Sequence, residues 1–370
     1  MKTLRTADPT QQQIIAHLRT TEQLLAEAAT LASGRAGDAE ITPMPDLGLP
    51  HNVRRIHGGF FTGALYQWDS GPVPLIPVDA TVNLCGVTLF RVEDDFEDEQ
   101  DFRRRVEAAR ETITKASSYV WNFTSGNHFV ILAENRTPGT LPEGRYLVLH
   151  ASAAEFKNQY NGLYPASGNW YSDEIRILAG RNGRYLRYLT GKPAERFARV
   201  ATMLESYQRE RQQLCATLIM GSEARIHDEV LSLLHYGMPD TSSIAIGCQW
   251  LRDDQPRSLL LTRPGAPLYL VRFATDGPNR ATTQHGDVTL TPHGLGVHAL
   301  EPLQLAYHDG HLSIAGRRLS LDQSLAGQDF VAIRGFDPDT DLARIFDDCP
   351  GVVETQLQQI YSYHRTSENP

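Results

Sequence analysis

Two long stretches of this chain, residues 41–92 and 243–334, are made of short apolar runs broken every few residues by glycine or proline. Runs of that length closed by turn chemistry read as strands, because a helix needs an unbroken 3.6-residue apolar period. The turns TRPGAP, TDGPN, TPHGLG and HDGH punctuate the second stretch. An all-helical fold is therefore excluded. Helical periods stand around these stretches. Residues 9–33 are amphipathic and end in Ser-Gly, residues 94–116 open acidic and continue basic as the helix dipole favours, and residues 193–220 open with proline. Further strands are expected at 128–134 and 145–151, and the tail, 338–363, reads as helical. The chain shows no repeat, no low-complexity linker and no clean boundary. The expected class is α+β, with an N-terminal helix in residues 1–40 and one domain over 41–370 that carries a helical insertion at about 155–232.

At 370 residues, with 41% hydrophobic and 21% charged, the chain has the composition of a globular protein with a sizeable core. No apolar stretch approaches the roughly 20 residues that span a bilayer. The start, MKTLRTADPTQQQ, lacks the apolar centre of a secretory signal. The expectation is no membrane partner and a cytoplasmic location. Cys85, Cys215, Cys248 and Cys349 lie far apart with no CxxC pair, which argues against a disulfide framework and leaves single thiolates as nucleophile or metal ligand. Cys215 falls on an apolar helix face and reads as core. A net charge of −9 argues against gripping nucleic acid by bulk electrostatics, while the Arg-rich helical middle leaves room for a local basic groove.

Histidines and a cysteine recur at strand ends and in glycine-rich turns: Cys85 in VNLCGV, His128 in WNFTSGNHFVIL, His150 closing RYLVLH, His235 in LLHYG and His293 in TPHGLG. Thiolate and neutral imidazole are preferred ligands of zinc and other transition metals, and distant segments can supply them. No local spacing such as HExxH ties these residues together, so taken singly each also fits a satisfied, partly buried side chain.

Their order is more specific. PMPDLG (43–48), HGGFFTGALYQWDSGPVPLIP (57–77), VNLCGVTLF (82–90), SGNHFVIL (125–132), LH (149–150), LLHYG (233–237), RPGAPLYLVR (263–272) and TPHGLG (291–296) follow one another. This succession resembles the RtcB family of GTP-dependent RNA ligases, with GNHF and the ordered spacing as its most specific parts. The likeness runs from about residue 41 to 297. It implies an RtcB-like catalytic domain with mixed sheets around a metal and nucleotide cleft. It further implies that Cys85, His128, His150 and His235 hold manganese or zinc, with Asn83 standing where the family has an aspartate. His293 would attack the α-phosphate of GTP. The resulting histidine–guanylate would activate an RNA 3′-phosphate, or a 2′,3′-cyclic phosphate, for joining to a 5′-hydroxyl. Asn127, Arg263, Gly265, Gly294 and Gly296 would contact the nucleotide, Asn127 reading the ligand while His128 beside it holds metal. That arrangement needs a bend at Gly126, since adjacent strand residues face opposite ways.

The implied partners are RNA ends and GTP, with room for an accessory activating protein; the oligomeric state is left open. Several phosphate-directed cations of the family are missing. Ala151-Ser152-Ala153-Ala154 replaces a serine–arginine segment, Val297 replaces an arginine, and the chain ends in HRTSENP instead of Lys-Gly. An amide at Asn83 is a weaker ligand than a carboxylate, so a second ion should bind poorly unless Asp79 swings in. Two alternatives stay open: a metal-dependent phosphoesterase or nucleotidyl-processing enzyme on the same fold, and a non-catalytic RNA-binding relative with a structural metal.

Overall fold

The segment PTQQQIIAHLRTTEQLLAEAATLAS forms a helix over Pro9–Ser33. Asp8 and Gln11 close a reciprocal capping box at its start, and Gly34, left-handed at φ 69°, ends it. Its buried stripe, Ile14, Leu18, Leu25 and Ala28, packs on the strand Asp38–Gly48 that follows. The computed structural model describes residues 2–5, 7–124, 126–137, 139–153, 165, 167–262, 265–335 and 337–364. Arg263 lies outside the described residues.

The class is α+β. Two sheets position the site. In the first, of four strands, the order is Asp38–Gly48, Thr62–Asp69, Ser243–Ile246 and Tyr236–Asp240. The second has seven strands in the order Arg257–Leu260, Leu268–Phe273, Gly351–His364, Phe129–Asn135, Gly144–Ala151, Gly86–Val92 and Ile226–Leu234, every pair antiparallel. The helix Lys192–Met220 packs against the helix Glu99–Ala116 and against this sheet. Cys215 sits on its inner face, fully buried in an apolar cluster with Val106, Ile113 and Leu149. The segment expected as a helical insertion also carries a hairpin, Arg176–Ala179 with Tyr185–Thr190, and ends in the sheet strand Ile226–Leu234.

The tail departs from expectation. Helix covers only Pro338–Asp348, and GVVETQLQQIYSYH forms a 14-residue strand over Gly351–His364. Adjacent β-branched and aromatic residues outweigh its loose helical spacing once the strand bridges Leu268–Phe273 and Phe129–Asn135. His57, at the start of the HGGF stretch, is fully buried, with Nε2 2.8 Å from His308 O and its ring against Tyr185 and Tyr307. No described helix is long and apolar enough to cross a membrane.

Candidate metal centre

Four neighbouring strands of the seven-stranded sheet bring the Cys and His residues to one edge. Antiparallel pairing puts the starts of Phe129–Asn135 and Gly86–Val92 beside the ends of Gly144–Ala151 and Ile226–Leu234. His128 precedes the first strand and Cys85 the second, His150 is the penultimate residue of the third, and His235 follows the fourth. The register is explicit: His150 pairs with both Phe129 and Val87, and Gly86 pairs with Leu234. Residues up to 150 positions apart in sequence thus meet as a consequence of strand order.

Cys85 Sγ lies 3.3 Å from His128 Nε2 and 3.3 Å from His150 Nε2, and His150 Nε2 lies 3.2 Å from His235 Nε2. The ligand atoms of Cys85, His150 and His235 all fall within 4.8 Å of one another, and all three residues are buried. Carbonyl oxygens set the tautomers. His128 Nδ1 donates to Asn122 O at 2.8 Å and His150 Nδ1 to Asn127 O at 3.2 Å. With Nδ1 protonated on each ring, both Nε2 lone pairs converge on the thiol, as in metal-bound histidines whose other ring nitrogen donates to a carbonyl. Burial holds all three imidazoles neutral. It lowers His128 to about 3 and puts His150 and His235 well below the ordinary histidine value. Burial also pushes the Cys85 thiol up to about 12. Converging lone pairs on buried neutral rings, with a thiol at the centre, suit a divalent cation such as zinc or manganese.

The loop before Cys85 is held under tension. Thr81 and Leu84 both have positive φ, 46° and 54°. Asn83 Oδ1 accepts the Cys85 backbone N–H at 3.2 Å, so the amide braces the thiol's own backbone. Asp79 does not approach the cluster with a free oxygen: its carboxylate is completely buried, and both oxygens bind the Arg187 guanidinium, Oδ2 at 2.8 Å from Nε.

His293 follows the strand Gly286–Pro292 and is 2% exposed. Its ring lies 4.7 Å from that of His235, tilted by 32°. Asp46, in the PMPDLG stretch of the strand Asp38–Gly48, was not singled out by sequence. Its Oδ2 accepts three hydrogens: from His293 N at 3.0 Å, Gly294 N at 3.0 Å and His293 Nδ1 at 2.7 Å. An oxygen already accepting two backbone N–H bonds must accept from Nδ1 as well, which leaves the lone pair of His293 on Nε2. The PMPDLG motif was the only sequence signal for Asp46, because its partner is 247 positions away.

Cys85, His128, His235 and His293 line a cleft of about 750 Å³, together with Asn83 and Asn127. Gly126 has φ 65°, which supplies the bend that lets Asn127 and His128 both reach this cleft. Gly296 lines it too. Gly294 lies one residue past His293, and a Cβ there would sit 2.5 Å from Leu261 O. Gly265 is elsewhere, in an exposed turn where its N–H donates to Gln359 Oε1 at 3.2 Å.

The wall behind the cluster rests on Arg211 of the helix Lys192–Met220. This fully buried guanidinium donates to Ser152 O at 2.7 Å and Val120 O at 3.2 Å, while Asn122 Nδ2 donates to the same Ser152 O at 3.0 Å. Arg211 thereby braces the segment whose carbonyl orients His128. No protein-family model matches the chain, and no curated protein matches it significantly.

Proposed function

We propose that the cleft is the active site of a metal-dependent RNA ligase that works, as in the RtcB family, by nucleotidyl transfer through His293. The observation that carries this reading is the placement of His293: an imidazole whose Nδ1 is held by Asp46, packed ring to ring against the Cys85–His150–His235 group. Cys85, His150 and His235, with His128 on the other side of Sγ, are the residues that would hold the ion. A bound divalent cation supplies Lewis-acid chemistry that offsets charge on phosphoryl oxygens.

The remaining work falls to the chain. The Nε2 lone pair of His293 attacks the α-phosphorus of GTP; the bond to the β-phosphate oxygen breaks and pyrophosphate leaves. As the ring becomes cationic, Asp46 stabilises it through the 2.7 Å contact at Nδ1. An RNA 3′-phosphate oxygen then displaces His293 from phosphorus, and a 5′-hydroxyl attacks the activated end, releasing GMP. Asn127 on the cleft wall contacts the bound nucleotide.

Incubation with α-labelled GTP and manganese, followed by denaturing electrophoresis, tests the reading. Acid-labile label on the wild type and none on His293→Ala is the expected result. No label with GTP or any other nucleotide overturns it. A second reading, a metal-dependent phosphoesterase, is favoured by one observation: among the described residues none of the side chains around Cys85 Sγ is a carboxylate, Asp79 being committed to Arg187. Metal-dependent release of phosphate without covalent labelling distinguishes it.

A further inference from the structure

The chain carries a net charge of −9, yet the cleft is basic. Among the described residues that line it, Arg54 and Arg55 face a single carboxylate, Asp322, which sits at the exposed rim and accepts from Ser320 Oγ at 2.6 Å. Arg55 is 4% exposed and has no carboxylate partner among the described residues. Its Nε donates to Ala80 O at 3.0 Å and to Thr81 Oγ1, its Nη2 donates to Thr81 O, and its Cζ lies 4.7 Å from the centre of the Tyr236 ring. Nη1 has no protein acceptor among the described residues. Neighbouring Arg54, half-buried, makes no side-chain hydrogen bond or ion pair with them.

A guanidinium stays ionised even when buried, and a buried cation is strongly disfavoured until an anion meets it. Backbone carbonyls and the Tyr236 face lessen that cost for Arg55 without supplying opposite charge. The location is specific. Tyr236 follows His235, whose ring packs on His293, so the Arg55 guanidinium stands on the wall shared with the nucleophile. Two cations with unfilled fork positions match a phosphate dianion better than a singly charged carboxylate.

We infer that Arg54 and Arg55 form the phosphate-binding wall of the cleft and hold a phosphate group of the substrate beside His293. The inference rests on the reading of this cleft as a site of phosphoryl chemistry and names the residues that recognise the substrate there. Both arginines come from the short helix Val53–His57, a segment in which the sequence showed no phosphate motif. Two sources share the required chemistry: the polyphosphate of a nucleotide and the terminal phosphate of an RNA end.

The test is equilibrium binding at constant manganese concentration. A short fluorescent oligoribonucleotide with a 3′-phosphate is compared with its 3′-hydroxyl twin, and GTP is compared with guanosine. Wild type, Arg54→Gln and Arg55→Lys are measured. Arg54 makes no side-chain hydrogen bond or ion pair among the described residues and meets Asp322 only as a charge at longer range, so Arg54→Gln melts close to the wild type and carries the test even if Arg55→Lys, which also disturbs the Thr81 contacts, folds poorly. The wild type prefers the phosphorylated member of a pair, and each variant loses about tenfold of that preference, the size of one charge-assisted hydrogen bond. The pair that loses it identifies the source of the phosphate. Equal binding of both members by the wild type, or a preference unchanged in Arg54→Gln for both pairs, overturns the inference. A preference that falls as expected in a protein whose His293 never accepts label leaves the phosphate wall standing and removes the nucleotidyl-transfer reading.

Discussion

Asp46 is the most exacting place to probe the site, because on the proposed mechanism one oxygen would serve both folding and chemistry. Its Oδ2 accepts two backbone N–H groups and the Nδ1 hydrogen of His293, while Oδ1 is buried with no partner among the described residues. Asp46→Ala strips all three donors of their acceptor. At roughly 1 kcal/mol per hydrogen bond, and more for bonds to an ionised group, the expected loss of folding stability is about 3–4 kcal/mol. Asp46→Asn is different. Its amide oxygen can take the place of Oδ2 and its nitrogen the place of the unpartnered Oδ1, so the three bonds survive in weaker, neutral form. The expected loss is about 1–2 kcal/mol. Chemistry should separate from stability in the Asn variant: without the negative charge the imidazolium formed on attack is unsupported, and His293 labelling by GTP should slow by about two to four orders of magnitude. Urea titrations give the first quantity and label incorporation the second. Nitrogen NMR of the imidazole reports the tautomer directly. An Ala variant within about 1 kcal/mol of wild type, or a wild-type His293 protonated on Nε2, would refute the reasoning that Asp46 sets the tautomer of His293.

Replacing Cys85 with serine should abolish stoichiometric zinc or manganese binding while leaving the strand pairing intact, as judged by metal analysis and circular dichroism; full metal occupancy in the variant would move the centre elsewhere. The metal-free protein should be acid-labile. Burial places the folded values of His128, His150 and His235 below the ordinary 6.5, so their contribution to stability is present above that pH and is lost as pH falls beneath it. The slope is about 1.4 kcal/mol per pH unit for each histidine that protonates on unfolding, and for His128 it ends near pH 3; denaturant midpoints that do not change between pH 7 and 5 would contradict it. Gly294→Ala should cost about 2 kcal/mol or more, since φ is 96° and the added Cβ meets Leu261 O at 2.5 Å. A thermal midpoint equal to wild type would show that the close approach relaxes freely.

Much of the local structure was legible because it depends on neighbours in sequence. The helices Pro9–Ser33 and Lys192–Met220 carry their own periods, caps and proline starts, and the strands Phe129–Asn135 and Gly144–Ala151 were expected within a residue of their observed ends. The metal-type side chains were visible as types at strand ends. What failed was non-local. The strand Gly351–His364 reads as helix until two partner strands take up its backbone, and nothing near His57 in sequence announces that Tyr185, Tyr307 and the carbonyl of His308 draw it into the core.

By itself, then, the sequence determined which segments twist into helix or extend as strand, and which residues capable of holding metal stand at their ends. Only the tertiary structure decided that four of those ends lie side by side, that Asp46 reaches His293, and that Arg55 enters the cleft with no counter-ion among the described residues. The physical reason is the range of the forces. Caps, turns and periodicity act over a few residues, whereas strand order and the pairing of buried polar groups are set by which distant surfaces can exclude water together and still satisfy every backbone donor and acceptor.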